Sequence, residues 1–270
     1  MTMKAIKEIC IAGRVIDVTL KMSRDVIPGK RKQKKRITPE AVQANNDRIA
    51  AKNLARLMNA NFGPGDIHLV LTYREKPSEA EAKKDRTNFI RRLKHKNKEI
   101  KWIAVTEKGK RGRIHHHIII KGVTGEEIVK AWPKGWANIK YLDASGDYTK
   151  LAEYLIKYTS KAMREPGAVN KRRFTCSGNL ERPVVKKLEI NTSDLFEDPE
   201  PIKGYFIPKD SIRRYDHPVT GIEHLEYRML AIDKPRPFKK WPRGKITKER
   251  EYFRPNVEAE DQEDLFDMLF

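Results

Sequence analysis

Apolar and polar residues alternate from Ile6 to Lys21, the period of a strand, and the alternation breaks at Ala12-Gly13, which predicts a short hairpin. A long helix is predicted next: Thr38 suits an N-cap, Pro39 suits the first turn, and helical composition runs to about Asn61. Ile67 to Tyr73 reads as a strand and Ser78 to Asn97 as a second helix. Two strands, Trp102 to Glu107 and Ile114 to Ile120, flank the turn-forming stretch Lys108-Gly109-Lys110-Arg111-Gly112 and predict a hairpin over 100–121. Thr124 and Glu127 have capping-box spacing and open a third helix, and Trp136 to Leu142 reads as a strand. Residues 147–163 have the apolar spacing of a fourth helix, capped by Asp147, with Leu151, Leu155 and Ala162 on its packing side. Glu165-Pro166-Gly167 ends it. This order predicts an α+β fold, an antiparallel sheet with flanking helices.

Beyond that helix the pattern thins. Candidate strands at Lys203 to Pro208 and His224 to Ile232, separated by the turn-rich stretch 216–221, predict a small β appendage. The expected organisation is a main domain over 1–182, the appendage over 183–232, and a flexible tail over 233–270, basic first and then acidic. In the tail's first half Phe238 and Trp241 interleave with Lys, Arg and Pro, a composition shared by nucleic-acid tails and ordinary linkers.

Charge narrows the partners. Lys and Arg number 57 against 37 acids, a net +20. Residues 257–270 hold six acids and no base, so the rest of the chain carries +26 (20 plus 6). Such a surplus suits a polyanion and implies salt-dependent binding. Candidate phosphate contacts are the run Lys30-Arg31-Lys32-Gln33-Lys34-Lys35-Arg36, in which only Gln33 is uncharged, then Arg91 and Arg92 of the second helix, Lys110 and Arg111 of the hairpin turn, and Arg172 and Arg173. On the second helix, Arg86, Lys94 and Lys96 extend the same basic surface. Two cysteines, Cys10 and Cys176, are too few for a disulfide scaffold and are expected to be reduced thiols. No apolar run approaches a membrane span and the first residues carry no apolar leader, so a soluble, cytoplasmic protein without a membrane partner is expected.

The chemistry concentrates in two elements. On a strand, His115 and His117 project to one side while Ile114, His116, Ile118 and Ile120 project to the other. His116 reads as a hydrogen-bonded core residue; the outer pair, with Glu107 brought close by the hairpin, reads as a metal-ligand set. Two imidazoles and a carboxylate leave open positions on a divalent ion and suit Mg²⁺ or Mn²⁺ engaged by a phosphate, acting as a Lewis acid. On the fourth helix Tyr154, Lys157, Tyr158 and Lys161 are three and four apart and share one stripe. A phenol titrates near pH 10 in isolation, so as a nucleophile it needs a polarised phosphate and nearby positive charge, which both lysines can supply. Alone, the stripe reads equally as aromatic packing with a solvated lysine edge.

In order, Leu69-Val70-Leu71-Thr72-Tyr73, then Glu107 and His115-His116-His117, then Tyr154-Leu155-Ile156-Lys157 resemble the three successive motifs of the HUH endonuclease superfamily, and within it the rolling-circle replication initiators of phages, plasmids and integrated elements. The resemblance covers about residues 5–182, including Ile9-Cys10-Ile11-Ala12-Gly13-Arg14 and Arg172 to Leu180. It implies a palm-like, ferredoxin-related sheet and cleavage of one DNA strand by tyrosine, leaving a 5′-phosphotyrosyl link and a free 3′-OH that primes synthesis. By the same resemblance, 1–182 is the catalytic domain and the metal is held by His115, His117 and Glu107. Tyr154 with Lys157 matches the single-tyrosine pattern. Tyr158 with Lys161 resembles the second tyrosine of two-tyrosine initiators, or packs or touches DNA. This chain departs at the middle histidine position, usually bulky and apolar, which is His116.

Origin or single-stranded DNA, a host helicase and a host polymerase are the implied partners, since no Gly-x4-Gly-Lys-Ser/Thr phosphate loop is present. Gln262-Glu263-Asp264-Leu265-Phe266 fits the Gln-x-x-Leu-Phe pattern of peptides that dock into the bacterial sliding clamp; the alternative is an acidic tail packing on basic residues of its own chain. Two rival readings stand beside the initiator: a relaxase or transposase of the same superfamily, and a basic nucleic-acid-binding protein without catalysis.

Overall fold

The computed structural model describes residues 3–24, 40–109, 112–162, 172–216 and 222–232. Among these residues the fold is α+β, with two antiparallel sheets and four α-helices. The chain divides into two compact units, one of residues 47–180 and one of residues 1–46 with 181–270.

The first unit is built on a five-stranded sheet in the order β6-β3-β5-β4-β7. Its strands are β3 (Ile67–Thr72), β4 (Lys101–Lys108), β5 (Ile114–Lys121), β6 (Ala137–Tyr141) and β7 (Thr175–Cys176). The helices are α1 (Glu40–Asn61, its first residues in the other unit), α2 (Glu79–Lys96), α3 (Gly125–Ala131) and α4 (Thr149–Ala162). Both faces of the sheet are covered. On one, Ile103, Val105 and Ile119 pack with Leu54 and Met58 of α1 and with Ala152, Leu155 and Ile156 of α4. On the other, Leu69, Leu71, Ala104, Ile118 and Ile120 pack with Phe89 and Leu93 of α2 and Ile128 of α3. Two-sided burial explains why β5 reads as a nearly unbroken apolar run. α2 and α3 each begin in a complete capping box, Ser78 with Glu81 and Thr124 with Glu127.

The second unit is a six-stranded sheet in the order β10-β11-β2-β1-β8, with β9 also on β11. It comprises β1 (Met3–Ala12), β2 (Val15–Arg24), β8 (Val185–Ile190), β9 (Tyr205–Phe206), β10 (Arg213–Asp216) and β11 (Glu223–Ala231). The N-terminal hairpin turns at Gly13, whose φ of 59° is the left-handed region that glycine enters without penalty. Here the structure differs from the expected grouping. The hairpin, assigned from sequence to a domain running to 182, pairs through β1 with β8 and through β2 with β11. Its inward residues Ile9, Ile11, Ile16 and Val18 share a core with Leu188, Leu225, Tyr227 and Met229, and burying that face is what draws the two ends of the chain into one sheet. The candidate strand at 203–208 contracts to two residues, whereas 224–232 is confirmed as β11.

Among the described residues no helix is long and apolar enough to cross a membrane. The basic run 30–36, Lys110, Arg111, the start of the long helix at 38–39 and the tail from 233, with Gln262, Leu265 and Phe266, lie outside the described residues.

Candidate active site

β5 lies between β3 and β4, and the register places Glu107 opposite His115, Val105 opposite His117, and Thr72 opposite His115 on the other side. Strand alternation therefore sets His115, His117 and Glu107 on one face, the face covered by α1 and α4. His117 Nε2 lies 2.9 Å from Glu107 Oε2, both side chains largely buried. Burial lowers the His117 pKa and the carboxylate only partly offsets it. Neutral imidazole is the form that ligates metal.

The donor types fit an open divalent site, and one spacing fits as well: nitrogen and oxygen ligands ~2.1 Å from one ion at right angles are separated by about 3 Å. Among the described residues, however, no group of three or more His, Cys, Asp or Glu side chains is gathered so as to hold a metal ion. His117 has both its ring nitrogens facing neighbours, Glu107 at one and His68 at the other. His115 stands half-buried opposite Glu107.

His68 is absent from the sequence-based set. Its Nε2 is 3.4 Å from His117 Nδ1 and the two rings stack with centroids 5.7 Å apart. Burial, then His117 and Lys140, push its pKa down to about 4. A single histidine on an apolar strand carries no local signal; only the β3–β5 register, with Val70 opposite His117, shows that His68 shares the ligand face.

His116 points to the opposite face and is fully buried, as expected for a core histidine. Its hydrogen-bond directions follow from donor chemistry. Arg86 Nη1 can only donate, and does so to Thr106 Oγ1 at 2.6 Å. The threonine hydroxyl then donates to His116 Nδ1 at 3.0 Å, so His116 Nε2–H donates to Tyr73 Oη at 2.9 Å, and Tyr73 donates to the Ala82 carbonyl at 3.4 Å. Burial, then the Arg86 charge, push the His116 pKa down to about 3. Arg86 is thus a correction: grouped from sequence with a basic surface, it is 9% exposed and committed to this chain because the α2 face that carries it packs on the sheet.

α4 is anchored at its start, where Asn59 Oδ1 accepts the Tyr148 N–H at 2.9 Å and Asp147 Oδ1 accepts the Thr149 N–H at 3.0 Å. Ala152, Leu155, Ile156 and Thr159 are buried, which leaves Tyr154 and Lys157 exposed. The Tyr154 ring meets the His117 ring edge-on at 5.9 Å between centroids. Tyr158 and Lys161 lie on the same helix, one turn further along.

Residues 66–163 match the family model described as replication-associated protein ORF2. The match supports a role in replication initiation. It spans β3 to the end of α4, and so takes in His68, Glu107, His115, His117, Tyr154 and Tyr158. No curated protein matches the chain, and no solved structure matches it. Of the basic candidates, Arg91 and Arg172 are exposed. Arg92 donates to the Ala131 carbonyl at 3.0 Å and Arg173 pairs with Asp47 at 2.6 Å, contacts that tie helix to helix and loop to helix.

Proposed function

We propose that the chain is an HUH-type DNA nicking and joining enzyme that initiates rolling-circle replication of a phage, plasmid or integrated element. The observation that carries this reading is the convergence, on one face of one sheet, of a His117–Glu107 pair at 2.9 Å with a tyrosine ring 5.9 Å from the same histidine. His115, His117 and Glu107 would hold Mg²⁺ or Mn²⁺, which supplies Lewis-acid polarisation of the scissile phosphate.

Tyr154 is the nucleophile. Its oxygen attacks phosphorus, the bond to the 3′-oxygen breaks, and the strand is left with a 5′-phosphotyrosyl bond and a 3′-OH that takes up a proton. Lys157, one turn away, favours the phenolate and neutralises phosphate charge. Tyr158, with Lys161, is the acceptor for the reverse transfer. Arg91 and Arg172 contact the backbone of single-stranded DNA, as do the basic residues of 30–36 and 110–111. A host helicase opens the duplex, and the tail motif Gln262 to Phe266 recruits the sliding clamp to the new primer.

The test is denaturing electrophoresis of the full chain with labelled single-stranded origin DNA, with Mn²⁺ or EDTA. A metal-dependent covalent adduct that Tyr154→Phe removes, with a rate loss on the order of 10³-fold or more, supports the reading. DNA binding without any adduct sinks it in favour of a non-catalytic binding protein.

A further inference from the structure

We infer that His68 is a positioning residue that selects which ring nitrogen of His117 is free to bind a cation. The inference rests on the nickase reading for the existence of the metal, and otherwise on the chain His68 Nε2, His117 Nδ1, His117 Nε2, Glu107 Oε2, with separations of 3.4 and 2.9 Å.

A neutral imidazole carries one proton, and a carboxylate can only accept. Without metal, the proton of His117 therefore sits on Nε2 and is donated to Glu107. His117 Nδ1 is then the acceptor, and His68 Nε2–H is its donor. A cation at His117 Nε2 needs that lone pair, so the tautomer must invert: the Nε2 proton leaves to solvent and Nδ1 gains one. The nearest polar atom to Nδ1 is His68 Nε2, which passes its proton across and becomes the acceptor, while His68 Nδ1 takes a proton from solvent. Both rings are neutral before and after, and one proton leaves as one enters. The side chain behind His117 must thus donate in one state and accept in the other. Histidine does this by exchanging tautomers, glutamine by turning its amide, and a phenyl ring cannot do it at all. Partners behind a ligating histidine commonly change metal affinity by about 10–100-fold.

Calorimetric titration of the full chain with Mn²⁺ tests this, using wild type, His68→Phe, His68→Gln and Glu107→Ala. The expected result is a loss of about 10–100-fold in affinity for His68→Phe and recovery to within about threefold for His68→Gln. Wild-type affinity in His68→Phe, or equal loss in both His68 variants, overturns the assignment while leaving the nickase reading intact. If wild type takes up no Mn²⁺, or Glu107→Ala binds as well as wild type, the nickase reading falls and the assignment with it. A second readout does not depend on the phenylalanine variant folding. In ¹⁵N-histidine-labelled wild type, the His117 proton should move from Nε2 to Nδ1 on addition of Mg²⁺; an unchanged tautomer overturns the inference.

Discussion

His116 sits where the strand needs only a bulky core side chain, and four neighbours fix it as a neutral donor–acceptor relay from Arg86 to the Ala82 carbonyl. Removing one hydroxyl breaks the relay at two points. Thr106→Val keeps the volume but strips Arg86 Nη1 of its acceptor and His116 Nδ1 of its donor, and should cost about 2 kcal/mol or more in urea unfolding. A change below about 0.5 kcal/mol would show that water replaces the hydroxyl. The difference between His115 or His117 and His116 was legible in the sequence, because alternation sorts them by parity alone. Glu107 was legible because a short turn fixes the hairpin register. His68 and Arg86 were not: each acquires its partner from an element brought in by tertiary packing, and their own neighbours in the chain give no hint of it.

Between elements, the tightest approach is at Gly135. The loop leading into β6 runs against the end of β3, with Thr72 N–H donating to the Trp136 carbonyl at 2.9 Å and Arg74 N–H to the Lys134 carbonyl at 3.0 Å. A Cβ on Gly135 would collide with the Thr72 carbonyl oxygen and stand 2.9 Å from Arg74 N. Gly135→Ala is therefore expected to cost about 1–3 kcal/mol and to lower the thermal midpoint, with amide exchange quickening first at residues 72–74; unchanged exchange there would refute the contact. The helices and the central hairpin were readable because capping residues and turn glycines mark their ends locally. β8 escaped notice for the opposite reason. Its two lysines interrupt the apolar pattern, and Lys187 is satisfied only by Glu8 of β1, at 3.0 Å and far away in sequence. β10 likewise exists only as a partner of β11.

For the molecule as a whole, charge and protons set the conditions of stability and binding. A surplus of +20 predicts DNA affinity that falls steeply with salt. About six phosphate contacts on a single strand correspond to a log–log slope of about −4, measurable by fluorescence anisotropy, and a slope near zero would exclude phosphate-dominated binding. Protonation works on the fold in one direction. His116 and His68 have folded pKa values of about 3 and about 4, below the ordinary 6.5, so the unfolded chain binds protons first as pH falls below 6.5 and stability drops with it. Glu8 adds to this below 4.5: burial raises its pKa, but Lys21 and Lys187 outweigh burial and hold it at about 2. The urea midpoint should fall steadily from pH 7 to pH 3, and a flat profile would contradict these assignments. The split of the chain also has an order in time. β2 ends at Arg24, whereas its neighbour β11 begins at Glu223, so on the ribosome the first hairpin emerges long before either strand that will flank it. Residues 47–180 can close their own core meanwhile, but β1 and β2 wait with both outer edges open, the state in which strands pair with the wrong chain. A chain stopped at 182 should accordingly associate where the full chain does not, as light scattering of the two would reveal; the last strand synthesised completes the sheet that the first one began.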